Sequence, residues 1–193
     1  MSKNEKETDL IVAQMLNAAG IKFHPNGSCI ADIKKALKSA SKKGSGKSGY
    51  PEYVAQVGDF LIVIEDKADS AHQAKYIDEN KTSLLMDATS IINYAENGAV
   101  HYAKHIVQYS PFKKIIAIGC SGQDEANLYI RPIFVSSAGA KLLPRLTDFS
   151  PLSTPAKIKK YYNDVILEKK PIEQVELEDI LKRARIIHNQ VHS

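Results

Sequence analysis

Residues 60 to 64, Phe-Leu-Ile-Val-Ile, form a continuous apolar and largely β-branched run, the pattern of a strand buried on both faces. Such a strand belongs in the middle of a layered domain, with apolar elements above and below it. Gly58 and Asp59 stand just before it, and a Gly-first pair suits the two central positions of a tight hairpin turn. That turn pairs Val57 with Phe60, Ala55 with Ile62 and Val54 with Val63, so apolar residues meet on both faces. Continued outward, the same register sets Glu52 opposite Glu65. Lys67, two residues further along, points to the same face as Glu65 because side chains alternate along a strand.

Like charges directly opposite on a sheet are destabilising, and two close carboxylates push one pKa up unless a positive charge lies between them. A divalent cation supplies that charge. Mg²⁺ takes oxygen ligands and typically uses one or two carboxylates together with a substrate phosphate, and a nearby lysine helps to hold or deprotonate the attacking water. The alternative is a charged surface cluster in which Lys67 neutralises one of the glutamates. Acid-x-Lys is common; its weight here comes from the Pro51-Glu52 pair at hairpin spacing.

The rest of the chain surrounds this hairpin with alternating elements. Leu10, Ile11, Ala13, Met15, Leu16 and Ala19 recur with helical spacing and stop at Gly20. Ile30, Ile33, Leu37 and Ala40 line one face of a second helix, with Asn26 or Ser28 as its cap, that decays into a mobile basic loop. After an irregular stretch holding a short turn of helix, a helix opens after Asn97-Gly98. A buried strand follows in residues 113 to 122, and a further strand, Ala126 to Ser137, is expected at an edge or a bulge because it contains Pro132. Two helical segments, about 155 to 167 and 176 to 191, come after a Pro- and Ser-rich stretch and read as appended. Strands alternating with helices and led by a hairpin predict an α/β sandwich with a mixed sheet. No P-loop, dinucleotide fingerprint or internal repeat is present.

The chain has 193 residues, 44% hydrophobic and 25% charged, which fits one soluble domain with a substantial core. Its two cysteines, Cys29 and Cys120, lie in no Cys-x-x-Cys motif, which points to a reducing cytoplasm. No run approaches a membrane span. The net charge is +4, but residues 34 to 47 hold six lysines and no acid, and Lys157, Lys159 and Lys160 cluster beside two tyrosines. Such groups fit phosphate contact; they also fit a solvated helix face and loop.

The stretch from Gly49 to Val54, followed by Phe60 to Asp69, resembles the PD-(D/E)xK nuclease signature, with Pro51-Glu52 in place of Pro-Asp and Glu65-Asp66-Lys67 as the E-x-K. It is similar in particular to the N-terminal nuclease domains of type I and type IIG-like restriction-modification enzymes. The resemblance covers about residues 5 to 135, its specific part being some 20 residues long. It implies a restriction-endonuclease-like sandwich, flanked by helices, and a Mg²⁺-dependent endodeoxyribonuclease, with Mn²⁺ as substitute, acting through a Mg²⁺-activated water. Glu52, Glu65 and the backbone carbonyl of Asp66 would bind the metal, and Lys67 would position the water. Glu7 matches an acid that such domains place near the metal; it is equally a first-turn glutamate favoured by the helix dipole. Glu at position 52 lengthens that metal arm by a methylene, and Asp59, in the turn, is the poorer substitute. Related nucleases carry a Gln-x-x-x-Tyr helix after the E-x-K strand. His101 and His105 hold that spacing here, as stand-ins, as polar helix positions, or as a metal pair lacking a third ligand.

These expectations divide the chain into a nuclease-like domain, 1–150, and a helical extension, 151–193, leading toward a methyltransferase region. Lys42, Lys43 and Lys47, with Lys157, Lys159 and Lys160, would track the backbone of double-stranded DNA, leaving sequence choice to a target-recognition part outside this chain. A transient dimer would serve double-strand cleavage. Two rivals stand beside the nuclease: a nuclease-fold DNA-binding or assembly module that does not cut, and a metal-dependent hydrolase acting on something other than DNA.

Overall fold

The computed structural model describes residues 5–25, 30–169 and 180–182. Among these, six strands form one sheet in chain order: β1 (Phe23–Pro25), β2 (Tyr53–Val57), β3 (Phe60–Lys67), β4 (Ile115–Ser121), β5 (Tyr129–Ser136) and β6 (Gly139–Leu142). Neighbours run antiparallel except β3 and β4, which are parallel. The sheet is therefore mixed, and the parallel pair at its centre needs a helical crossover to return the chain to the same end. That crossover carries α3 (Ala88–Asn93) and α4 (Ala95–Tyr109).

The β2–β3 hairpin has the expected register, with Val57 opposite Phe60, Ala55 opposite Ile62 and Val54 opposite Val63. Gly58 takes φ +57° while Asp59 keeps a negative φ, the combination that lets a two-residue turn follow the strand twist. The alternation then sorts side chains into two cores. Ala55, Ile62 and Ile64 pack with Val12, Met15 and Leu16 of α1 (Glu5–Ala18), while Val54, Leu61 and Val63 pack with Ile33 and Leu37 and with Ala99, Ala103 and Ile106 of α4. Ile33 belongs to α2 (Ala31–Ala36), which tightens at Leu37–Ser39 into a 3₁₀ turn. The molecule is an α/β sandwich, with α1 on one face of the mixed sheet and α2 and α4 on the other.

Several details depart from the sequence expectations. Pro132 sits in β5, a strand with neighbours on both sides, opposite Ile118 of β4. Its carbonyl accepts from Leu143 just past the end of β6. In an antiparallel strand the N and the C=O of one residue point the same way, so the missing N–H faces the place where the short β6 has already ended, and the ladder to β4 is intact. β1 and β6 were not expected; three and four residues long, they carry too little alternation to be seen. Leu10 is 58% exposed rather than part of the α1 stripe. Helix α4 begins at Ala95, so Asn97 and Gly98 lie in its first turn instead of before it.

The loop after α2 folds back on itself: Ser41 N–H donates to Lys47 O at 3.0 Å and Gly49 N–H to Leu37 O at 3.1 Å. Residues 151–161 return to the α1 face, where Thr154 caps α5 (Pro155–Tyr161) by accepting from Lys157 N–H, and Leu152, Ile158, Tyr161 and Ile166 join the same buried cluster as Phe60 and Phe149. This part of the expected extension is thus packed against the sheet. Residues 180–182 are helical, while the remainder of the expected last helix, the caps Asn26 and Ser28, and Cys29 lie outside the described residues. Among the described residues no helix is long and apolar enough to cross a membrane.

Candidate functional site

The chemistry-bearing residues gather where β3 leaves the sheet. Glu65 is fully buried in an eight-residue strand whose first five positions are apolar. Its place in the parallel ladder, beside Gly119 of β4, keeps the carboxylate on the α4 face. Gly119 has no side chain for a definite reason: a Cβ there would stand 2.6 Å from the backbone N of Glu96, because the first turn of α4 lies directly on it. Gly98, two residues further along the same turn, is open for a similar reason. A Cβ at that position would meet Lys42 Nζ at 3.1 Å and Glu65 Oε2 at 3.2 Å.

Glu52 lies one residue beyond the last paired position of β2, Tyr53 opposite Ile64, so the hairpin brings the two glutamates to the same end. Burial raises the pKa of Glu52, Glu65 and Asp9 add to the rise, and Lys42 and Lys67 oppose it. Lys42 acts on both carboxylates. Its ammonium donates to Glu65 Oε2, its side chain is 17% exposed, and it lies 5.3 Å from the ring of Tyr102, a favourable cation–π distance. The Tyr102 hydroxyl is pushed upward by burial first and then by Glu65 and Glu52. Lys67 stands partly exposed at the rim.

Asp66 turns the other way. It is 3% exposed on the α1 face, beside Cys120, and its Oδ2 has no hydrogen-bond partner among the described residues. Burial, then the charges of Glu52, Asp9 and Glu65, push its pKa up to about 8. Tyr53, on that face too, donates its hydroxyl to the Asp9 carboxylate and, at 2.9 Å, to the Asp9 carbonyl.

A second polar cluster borders the site across β4. Glu96, fully buried, accepts from Gln73 Nε2 at 2.9 Å and from the Tyr76 hydroxyl at 3.4 Å; Gln73 also donates to Gly119 O and accepts from Ser121, the partner of Lys67 in the ladder. Burial raises the Glu96 pKa, against the pull of these donors and of Arg131.

The residues singled out in the sequence do not all converge. Glu52, Glu65, Lys67 and Lys42 share the strand end. Lys43 and Lys47 are exposed on the loop that carries Lys42. Lys157, Lys159 and Lys160 are exposed on α5. That helix meets the hairpin turn, since a Cβ on Gly58 would touch Pro155 at 3.2 Å; with five residues of strand between turn and Glu65, this is about 17 Å away at roughly 3.3 Å per residue. Glu7 is exposed, 3.4 Å from Gln123 Nε2, near the loop that follows β4. His101 turns Nε2 to Ala40 O at 2.9 Å, and His105 turns Nδ1 to His101 O at 3.1 Å. Burial lowers the His101 pKa, so the neutral ring donates to Ala40. Among the described residues no three His, Cys, Asp or Glu side chains are gathered as a metal site.

Sequence reasoning placed Lys42 among six similar lysines and had no means of telling which one enters the site. Tyr102 and Gly98 were missed as well, although a glycine in the first turn of a helix is a signal of close approach.

No family model matches the chain, and no solved structure matches it. A curated protein, the type II restriction enzyme and methyltransferase RM.BcgI of Heyndrickxia coagulans, is 35% identical to it over 194 residues, covering 98% of this chain and 30% of the relative. The chain therefore spans under a third of that relative's length.

Proposed function

We propose, from this kinship with a restriction enzyme and methyltransferase, that the chain is the metal-dependent DNA endonuclease part of a restriction-modification enzyme, of the PD-(D/E)xK kind. The observation that carries the proposal is Glu65, a fully buried carboxylate at the end of a central strand that draws a cation onto its Oε2, with a second carboxylate of raised pKa beside it. A buried acid that keeps its charge needs a positive partner, and hard oxygen donors suit Mg²⁺ or its substitute Mn²⁺. Glu52, Glu65 and the Asp66 carbonyl would hold the ion, with Glu7 as a further candidate. When bound, the ion supplies charge neutralisation at the phosphate under attack and acidifies water.

The chain's own groups do the rest. Lys67, at the rim on the Glu65 face, orients the attacking water and receives or steers its proton. The apolar hairpin behind Glu65 holds the two carboxylates in place and keeps bulk water from that side. Lys43 and Lys47 contact DNA phosphates; Lys157, Lys159 and Lys160, at the other end of the hairpin, engage the duplex only where it runs along the α1 face. The methyltransferase and target-recognition parts belong to the length of enzyme that this chain does not span, and a transient dimer cuts both strands. The enzyme acts in the cytoplasm.

The ammonium on Glu65 favours one other reading, a nuclease-fold module in which Lys42 has permanently replaced the metal and which binds DNA without cutting it. Calorimetric titration of Mn²⁺ into the 193-residue chain, with a short DNA duplex present, separates the two. The nuclease binds Mn²⁺ and loses it in Glu65→Ala, while Lys67→Ala keeps the metal and loses nicking of plasmid DNA. Equal absence of Mn²⁺ binding in wild type and Glu65→Ala would leave the non-cutting module.

A further inference from the structure

Lys42 raises a question that the nuclease reading does not answer by itself. An ammonium and a divalent cation held by one carboxylate repel each other and compete for its charge, and Lys42 is on Glu65 Oε2. We infer that Lys42 and the divalent ion exchange on Glu65, with DNA driving the exchange by drawing the lysine away, so that metal and DNA bind cooperatively. The inference rests on the nuclease reading and adds to it a named coupling residue.

Three features of the structure carry it. The first is the environment of the pair: the Lys42 side chain is 17% exposed and the Glu65 side chain 1%. The desolvation of the ammonium is roughly balanced by its partner, so a better-matched cation can displace it. The second is the way Lys42 arrives. It comes from no helix or strand but from the loop closed by Ser41 N–H to Lys47 O, through the gap that Gly98 leaves open beneath it. A lysine is a point charge on a flexible stem and can swing out without disturbing a fork of hydrogen bonds, as an arginine would.

The third feature is the company Lys42 keeps. Lys43, Lys47 and, on the preceding helical segment, Lys34, Lys35 and Lys38 are exposed within nine residues of it in the chain, so a DNA strand laid on this segment offers phosphates to Lys42 within one loop's movement. By linkage, whatever DNA does for the affinity of the metal, the metal does for that of DNA.

The test measures Mn²⁺ binding to the 193-residue chain by calorimetry, with and without a short duplex, in wild type, Lys42→Met and Lys42→Arg. In wild type the duplex should tighten Mn²⁺ binding about tenfold, equivalent to about 1.4 kcal/mol. Lys42→Met should bind Mn²⁺ about tenfold more tightly than wild type without DNA, and show little further gain when the duplex is added. Lys42→Arg, which holds Glu65 more firmly, should bind Mn²⁺ more weakly than wild type without DNA; it carries the test should Lys42→Met fail to fold. A duplex effect of the same size in all three proteins overturns the exchange while leaving the metal site standing. Mn²⁺ binding that is absent from wild type and Lys42→Met alike, even with the duplex, overturns the nuclease reading and the exchange with it.

Discussion

Asp66 lies between Glu65 and Lys67, to which the proposed chemistry assigns the metal and the water, and its own side chain does something different. It projects to the opposite face, into a buried corner shared with Asp9, Tyr53 and Cys120, and its pKa is pushed up to about 8 from 3.8. Its folded pKa therefore lies above its unfolded one: the native state binds this proton more tightly, and stability falls as pH rises from about 4 to about 8. Asparagine has the shape of the protonated acid and does not titrate. Unfolding by urea across that range should show Asp66→Asn gaining on wild type as pH rises, with the difference levelling above about pH 8; a pH-independent difference would place the proton elsewhere. The identity of this acid was plain in the sequence, and strand alternation alone put it on the face away from Glu65. Its elevated pKa was not legible, because burial, the largest cause, depends on α1 closing over that face.

At the scale of elements, the first turn of α4 shows how a local signal misleads. Asn97-Gly98 has the composition of a turn, yet both residues are helical and both serve contacts from other parts of the chain. The buried Asn97 accepts from Lys75 N–H at 3.0 Å and donates to Lys75 O at 3.0 Å and Leu85 O at 2.7 Å, pinning the irregular segment that follows β3 onto α4. Asn97→Ala should cost about 2–3 kcal/mol, since several backbone groups lose a partner together. Hydrogen exchange should show the loss concentrated in residues 75 to 87; uniform loosening of the whole chain would argue against a local clasp. The hairpin behaved in the opposite way. Its register followed from Gly58-Asp59 and the apolar run, because turn chemistry and alternation are local properties.

For the molecule as a whole, the expected boundary near residue 150 falls beside a shared core. Leu152, Ile158, Tyr161 and Ile166 pack in the cluster that holds α1, Phe60 and Phe149. A chain ending at residue 150 would expose the sheet face they cover. At about 1.5–3 kcal/mol for each large apolar side chain, the loss is comparable with the entire stability of an ordinary domain. Thermal melting should show a chain ending at 169 folding cooperatively and one ending at 150 losing its transition or aggregating; equal melting temperatures would mark residues 151–169 as dispensable. The Pro- and Ser-rich composition before α5 resembles a linker in sequence, and what makes it part of the body is the apolar face of α5, seven residues long, too short to register as amphipathic.

Taken alone, the order of residues determined the central hairpin, its register, the α/β class and the placing of Glu52, Glu65 and Lys67 at one strand end, since each rests on turn chemistry, alternation or the length of an apolar run. The tertiary structure decided which of six clustered lysines meets Glu65, that Gly98 and Gly119 leave room for a lysine and for the start of a helix, and that Asp66 is buried among acids. Those are contacts between segments distant in the chain, set by how a loop and two helices close over the sheet, and no periodicity within any one segment encodes them.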